Sequence, residues 1–163
     1  MNQGCNCSRL KGKVAIVTAS TAGIGYSISL RLASEGAKVV ICSRKQENVD
    51  SVVSDLRCKG FDVIGTACHV GSLDDIKALV KFTLSGFRTN TIDILVSNAA
   101  VNPAAGPILE TDDAVIDKIM DINGVCDLPF DFLLRMKKIT VILLNFCSEI
   151  SNTDYSRSRT LHA

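Results

Sequence analysis

Between Thr18 and Gly25 the chain reads Thr-Ala-Ser-Thr-Ala-Gly-Ile-Gly, and it follows a branched apolar run, Val14–Thr18. Small side chains there leave backbone N–H groups open to a ligand. Helical spacing begins at once, with Ile24, Ile28 and Leu32 stepping by four. A helix N-terminus presents unpaired N–H groups and a partial positive charge, so a phosphate could sit against this turn. Ser20, Gly23, Ile24 and Gly25 are the candidates to line it. The pattern G-x-G-x-x-G is not met, because Ala19 stands where a first glycine would be, and an ordinary strand-to-helix turn fits the same residues. A second stretch, Cys42-Ser43-Arg44-Lys45, lies where dinucleotide sites for NAD commonly carry Asp or Glu, ~20 residues beyond the glycines, to hold the ribose 2′-hydroxyl. No acid is present here. A carboxylate would repel a 2′-phosphate, whereas Arg44 would pair with one and Ser43 could donate a hydrogen bond to it. That points to NADP(H) over NAD(H); the plainer alternative is a solvated basic helix start.

The elements that would position these residues follow from periodicity. Strand one is read at Val14–Thr18 and a helix at Gly23–Glu35, with Gly36 as its C-terminal cap. Lys38–Cys42 is strand two, an unbroken apolar run of the kind covered on both faces of a parallel sheet. A helix over Gln46–Arg57 ends near Gly60, and Asp62–Ala67 is strand three. Ser72-Leu73-Asp74-Asp75 starts another helix, with Leu73, Ile76, Val80 and Thr83 as its apolar stripe. Ile92–Val96 is strand four, Asp112–Asp121 a further helix, and Ile139–Leu144 strand five. Strands alternating with helices at this spacing imply right-handed β-α-β units, hence an α/β, Rossmann-type doubly wound parallel sheet of about five strands. The domain organisation is a polar lead-in over residues 1–12, an NADP-binding domain over 13–148 and a divergent polar tail over 149–163.

Ligands of such sheets bind outside the carboxyl ends of the strands. Besides the two turns above, that selects Cys68–Val70, Ser97–Val101 and Phe146–Ser148.

Composition narrows the function classes. With 47% apolar and 21% charged residues, the chain is globular rather than disordered. A net charge of +1 leaves no field to steer nucleic acid or an anionic membrane, and 5% aromatics without Trp argue against base-stacking platforms. No run approaches the ~20 apolar residues of a membrane span. Seven cysteines, an odd number, and an N-terminus without an apolar secretion core read as reduced thiols in a cytoplasmic protein. Cys5-Asn6-Cys7 is half a metal site at most, so no metal is expected. Asp74-Asp75 and Asp112-Asp113 read as helix starts rather than metal carboxylates. His69 reads as a strand-end residue rather than a general base, since no Ser or Cys is spaced to partner it.

Taken in order, Thr18–Gly25, Ser43-Arg44-Lys45, Cys68-His69-Val70-Gly71 and Asp93-Ile94-Leu95-Val96-Ser97-Asn98-Ala99-Ala100-Val101-Asn102-Pro103 resemble the short-chain dehydrogenase/reductases, most of all the peroxisomal NADP-dependent retinol dehydrogenase/carbonyl reductase branch. The resemblance runs from Lys11 to Asn123. It implies that Ser20, Gly23, Ile24 and Gly25 line the pyrophosphate and that Ser43 and Arg44 take the 2′-phosphate. By the same resemblance His69 and Val70 flank the adenine, and Asn98, Ala99 and Ala100 pack beside the middle of the cofactor. The family often has glycine where Ala19 and Ala100 stand, and this branch tolerates Ala.

The family transfers a hydride between a nicotinamide and a carbonyl or alcohol, with a Tyr handling the proton and a Lys in Tyr-x-x-x-Lys lowering its pKa. A Ser after strand five holds the substrate oxygen, and an Asn in the preceding helix supports the Lys. Asn123 matches that Asn, and Ser148 is the candidate Ser. Tyr-x-x-x-Lys itself is absent: Tyr155-Ser156-Arg157-Ser158-Arg159 has Arg for Lys and follows Ser148 too closely. Relative to the family the sheet is expected to be truncated at its C-terminal side, leaving strand five as an exposed edge that invites association. The expected function is therefore an NADP(H)-dependent oxidoreductase of carbonyl reductase or retinol dehydrogenase type, weak or inactive in this chain and acting on a small-molecule carbonyl or alcohol if active. The alternative is a non-catalytic NADP-binding module, a partner of full-length relatives in a homo- or hetero-oligomer. The final Leu161-His162-Ala163 is not the family's Ser-Arg-Leu-type peroxisomal signal, which leaves the cytoplasm as the expected location.

Overall fold

A computed structural model describes residues 8–100, 114 and 140–143. Eight elements follow in chain order: β1 (Val14–Val17), α1 (Gly23–Ser34), β2 (Lys38–Ser43), α2 (Gln46–Cys58), β3 (Val63–Ala67), α3 (Leu73–Gly86), β4 (Ile94–Ser97) and β5 (Thr140–Leu143). The strands form one parallel sheet in the order β3-β2-β1-β4-β5. β1 is central, paired with β2 on one side and β4 on the other, so the strand order reverses beside it. In open α/β sheets that reversal is where a crevice opens and ligands bind. The helix expected at Asp112–Asp121 lies outside the described residues, apart from Ala114, which is helical.

Alternation along the strands sends side chains to two cores. Val14 and Ile16 join Val40, Cys42, Cys68, Leu95 and, from α3, Leu79 on one face. Ala15 and Val17 join Val39, Ile41, Val63 and, from α2, Val49, Val53 and Leu56 on the other. Residues in the middle of β1 and β2 are fully buried, which explains their unbroken apolar runs.

The helix ends obey local chemistry. Ser72 accepts the Asp75 N–H at 3.3 Å and caps α3, with Asp74 and Asp75 in its first turn. Gly36 closes α1 at φ 89°, a left-handed conformation that suits glycine, and Ala37 N–H returns to the Leu32 carbonyl.

Two apolar stripes differ from expectation. In α1 the buried residues are Gly25, Ser29 and Ala33, while Ile24 is 49% exposed. Small residues let the helix axis come close to the sheet; a Cβ on Gly25 would lie 2.6 Å from the Ala19 carbonyl oxygen. Ser29 costs little there because its hydroxyl donates to the Gly25 carbonyl at 2.8 Å. In α3, Leu79 and Thr83 are buried, whereas Leu73 is 47% exposed at the first turn, before the helix meets the sheet.

Candidate functional site

The turns after β1, β2, β3 and β4 converge at the carboxyl end of the sheet. Around a cleft of about 200 Å³ they place Ala19, Thr21 and Ala22 from the first turn and Ser43 and Arg44 from the second. Cys68, His69 and Val70 come from the third, and Ala99 and Ala100 from the fourth. A second groove, on α2 at Asp50, Val53, Ser54, Arg57 and Cys58, shares no residue with this cleft.

The first turn is built to leave donors open. Ala22, the residue before α1, is extended and has no side-chain cap, and α1 has no acidic residue in its first turn. The N–H groups at this helix start are therefore not spent on a carboxylate, and the helix dipole is uncompensated there. Gly23 takes φ 57° and Ala19 takes φ 49°, both in the left-handed region. For Ala19 that conformation costs on the order of 1 kcal/mol. It falls at the position where the glycine-rich motif has its first glycine, so the backbone keeps the motif's shape without the residue.

The walls of the cleft are tied to one another. Asn98 and Ala99 donate their backbone N–H groups to the Thr18 hydroxyl at 2.9 and 3.0 Å. The Asn98 side-chain amide donates in return to the Thr18 and Ala19 carbonyls, both at 3.1 Å. Ser20 binds the end of β2: its hydroxyl donates to the Val17 carbonyl at 2.7 Å and accepts the Cys42 N–H at 3.1 Å. Cys68 N–H donates to the Ser43 carbonyl at 2.9 Å and joins the second and third turns. In the third turn the His69 N–H donates to Asp75 at 2.9 Å, and His69 Nδ1 accepts the Gly71 N–H at 3.2 Å.

Charge in the cleft has one sign. None of its lining residues is a carboxylate, Arg44 is exposed, and among the described residues it makes no ion pair. Under the cleft the hydrogen bond with Cys68 and its own burial push the Cys42 thiol well above the usual thiol range, so it stays protonated.

The sequence-selected residues divide by position. Ser43, Arg44, His69, Val70, Ala99 and Ala100 line the cleft. Gly23 and the exposed Ile24 begin α1. Ser20, Gly25 and Asn98 stand behind the lining, with the Ser20 side chain wholly buried and its hydroxyl committed to backbone partners. Thr21, Ala22 and Cys68, which also line the cleft, fall within the strand-end stretches Ser20–Gly25 and Cys68–Val70 that the sequence selects. Thr18 is the residue that sequence reasoning misses, although it stands two positions before the selected Ser20 in the same small-residue turn. Asn123 and Ser148 lie outside the described residues. Among the described residues no helix is long and apolar enough to cross a membrane.

Comparison with known proteins agrees with this architecture. The short chain dehydrogenase family model matches residues 13–139. Dehydrogenase/reductase SDR family member 4 of Oryctolagus cuniculus is 55% identical over 114 residues, covering 70% of this chain and 43% of the relative. Tropinone reductase-like 3 of Erythroxylum coca is 51% identical over 115 residues, covering 71% of this chain and 44% of the relative. The chain thus spans less than half the length of these relatives. A metagenomic short-chain oxidoreductase solved in complex with NADP superposes with a TM-score of 0.65 at 31% identity, over 78% of this chain and 55% of that one. The 3-ketoacyl-(acyl-carrier-protein) reductase of Brucella melitensis, complexed with NADH, gives 0.64 at 29% identity, over 77% and 48%. On the match to its family model and its parallel sheet, this chain belongs to the short-chain dehydrogenase/reductase family of oxidoreductases.

Proposed function

We propose that residues 13–100 form the adenosine and pyrophosphate half of an NADP(H) site, and that the chain of residues 1–163 is by itself a weak or inactive oxidoreductase. The observation that carries the cofactor reading is the cleft lined by no carboxylate, with Arg44, which makes no ion pair among the described residues, at its β2 end. Similarity does not decide between cofactors, since one of the two superposed structures holds NADP and the other NADH.

In this reading the open N–H groups at the start of α1 receive the pyrophosphate. Arg44 and Ser43 take the 2′-phosphate, where a carboxylate would be repelled. His69 and Val70 flank the adenine, and Ala99 and Ala100 lie against the middle of the cofactor. Asn98 acts from behind by holding the walls together, and Gly25 by leaving room for their close approach. When bound, the nicotinamide supplies hydride exchange with a small carbonyl or alcohol. This chain's contribution to proton handling would rest on Asn123 and Ser148, without the Tyr-x-x-x-Lys that tunes the proton donor in the family.

Thermal melts of the chain with NADPH and with NADH test the reading. NADPH is expected to raise the melting temperature more than NADH does, and Arg44→Glu to abolish the difference; equal shifts, or none, reject NADP selectivity. Turnover of a dicarbonyl with NADPH by the chain alone would overturn the expected inactivity.

A second reading is favoured by the position of β5. It pairs with β4 and, among the described residues, is the edge of the sheet. A parallel edge presents unpaired N–H and C=O groups that another chain can use. The chain would then be a non-catalytic NADP-binding partner of a full-length relative. Co-purification with such a relative supports this, and its failure at micromolar concentrations counts against it.

A further inference from the structure

The Ser20 side chain faces away from the cleft into the sheet. It is wholly buried, and both its N–H and its hydroxyl have partners. Two of those partners belong to Cys42: the Ser20 N–H donates to the Cys42 carbonyl at 3.1 Å, and the Ser20 hydroxyl accepts the Cys42 N–H at 3.1 Å. The hydroxyl proton goes to the Val17 carbonyl, at 2.7 Å. Cys42 is the residue before Ser43-Arg44. The peptide on its carboxyl side, which carries the Ser43 N–H, is therefore gripped at its oxygen by Ser20. The next peptide, between Ser43 and Arg44, is gripped at its oxygen by the Cys68 N–H, at 2.9 Å.

The backbone that launches the Arg44 side chain is thus held between two anchors. The N–H contacts of both anchors are main chain and insensitive to residue type. The Ser20 hydroxyl adds the side-chain contact, accepting the Cys42 N–H one peptide before them. Nothing comparable ties Ser20 to the open N–H groups at the start of α1, which Thr21 and Ala22 precede.

Resting on the NADP(H) reading above, we infer that Ser20 is a positioning residue for cofactor discrimination: its hydroxyl sets the end of β2 so that Ser43 and Arg44 meet a 2′-phosphate, and it contributes little to binding the pyrophosphate. Removing it loosens the β2 end and leaves the first turn's donors in place.

The test is calorimetric binding of NADPH and NADH, with 2′,5′-ADP and 5′-ADP as shorter probes, to the full chain and to Ser20→Ala and Ser20→Thr. A single net hydrogen bond corresponds to roughly a five-fold change in an equilibrium constant. Ser20→Ala is expected to weaken NADPH and 2′,5′-ADP about five-fold, to leave NADH and 5′-ADP within two-fold, and so to shrink the discrimination ratio. Ser20→Thr, which keeps a hydroxyl, is expected to restore the ratio. Equal weakening of all four ligands by Ser20→Ala, or an unchanged ratio, overturns the assignment, as does a Ser20→Ala chain that no longer melts cooperatively, because the hydroxyl then serves the fold as a whole. If the unmodified chain itself prefers neither NADPH nor 2′,5′-ADP, the NADP(H) reading falls and this assignment with it. If the unmodified chain discriminates and Ser20→Ala discriminates equally, this assignment alone falls.

Discussion

Thr18 offers a sharp test of how the cleft is held together. Its hydroxyl accepts backbone N–H groups from both Asn98 and Ala99, at 2.9 and 3.0 Å, and so joins the turn after β1 to the turn after β4. Thr18→Val keeps the branched shape and replaces the hydroxyl with a methyl. Two N–H groups then lose their acceptor beside a buried side chain. An orphaned buried donor costs ~1–3 kcal/mol, and Asn98 and Ala99 are only half-buried, which places each at the low end. The third contact, from the hydroxyl to the Val96 carbonyl at 3.4 Å, is long and adds little. The expected loss is about 2–3 kcal/mol, and at ~2–4 °C per kcal/mol for a chain of this size the melting temperature should fall by roughly 5–10 °C. Thr18→Ser is the control. It keeps the acceptor and removes one methyl, at about 1 kcal/mol. Urea titrations of the three proteins, with the transition slope checked for constancy, measure the differences. If Thr18→Val lies within about 0.5 kcal/mol of the unmodified chain, or Thr18→Ser is as damaging, the hydroxyl does not carry the junction and the reasoning is wrong.

Gly25→Ala should destabilise by about 1–3 kcal/mol and weaken nucleotide binding, because the new methyl would meet the Ala19 carbonyl oxygen and the Asn98 amide nitrogen, both at 2.6 Å; a melt and an NADPH titration check both effects. Asp93 gives a pH-dependent prediction. Burial pushes its carboxyl up, but the hydrogen bond from Lys13 at 2.7 Å, the Val14 N–H at 2.9 Å and the Lys13 charge together hold it below the usual carboxylate range. A depressed carboxyl stabilises the fold above the unfolded-state pKa of about 3.9, and that contribution is lost as pH falls through the lower folded value. Asp93→Asn should therefore cost about 1 kcal/mol at pH 7, with the gap to the unmodified chain closing below about pH 4; a gap that persists in acid would assign the loss to packing instead.

How far the sequence reveals this molecule depends on which force decides each feature. β1 and β2 are legible because both faces are buried, so an unbroken run of branched residues means a covered parallel strand. Gly36 and Ser72 are legible because a left-handed φ and a free N–H at a helix start have few solutions among the residue types. The buried face of α1 is not legible from hydropathy. Ile24, Ile28 and Leu32 make the better apolar stripe, but the helix must start close to the strand ends, and closeness selects Gly25, Ser29 and Ala33. Leu73 misleads in the same way, since it continues the α3 stripe past the point where the helix touches the sheet. At the site, Arg44 and Ser43 could be chosen by charge and by their place after β2. The inward direction of Ser20 and the double acceptance by Thr18 could not, because residue type gives the capacity to hydrogen-bond and only the assembled sheet gives the direction.

The pairing of Thr18 with Asn98 also sets an order of events during folding. β1 can zip onto β2 across a short connection, since Ser20 and Cys42 are separated by only 22 positions. Its other neighbour arrives much later in the chain, for Thr18 and Asn98 are 80 positions apart. Closing the longer loop costs about 1 kcal/mol more in chain entropy than closing the shorter one. On a growing chain the β1–α1–β2–α2–β3 portion can therefore assemble while β4 is still being synthesised, leaving the β4 side of β1 open. A nucleotide that needs walls from both sides of β1 meets a complete cleft only once β4 has docked. Bound as proposed above, it would act on the finished sheet, slowing its opening rather than seeding its formation.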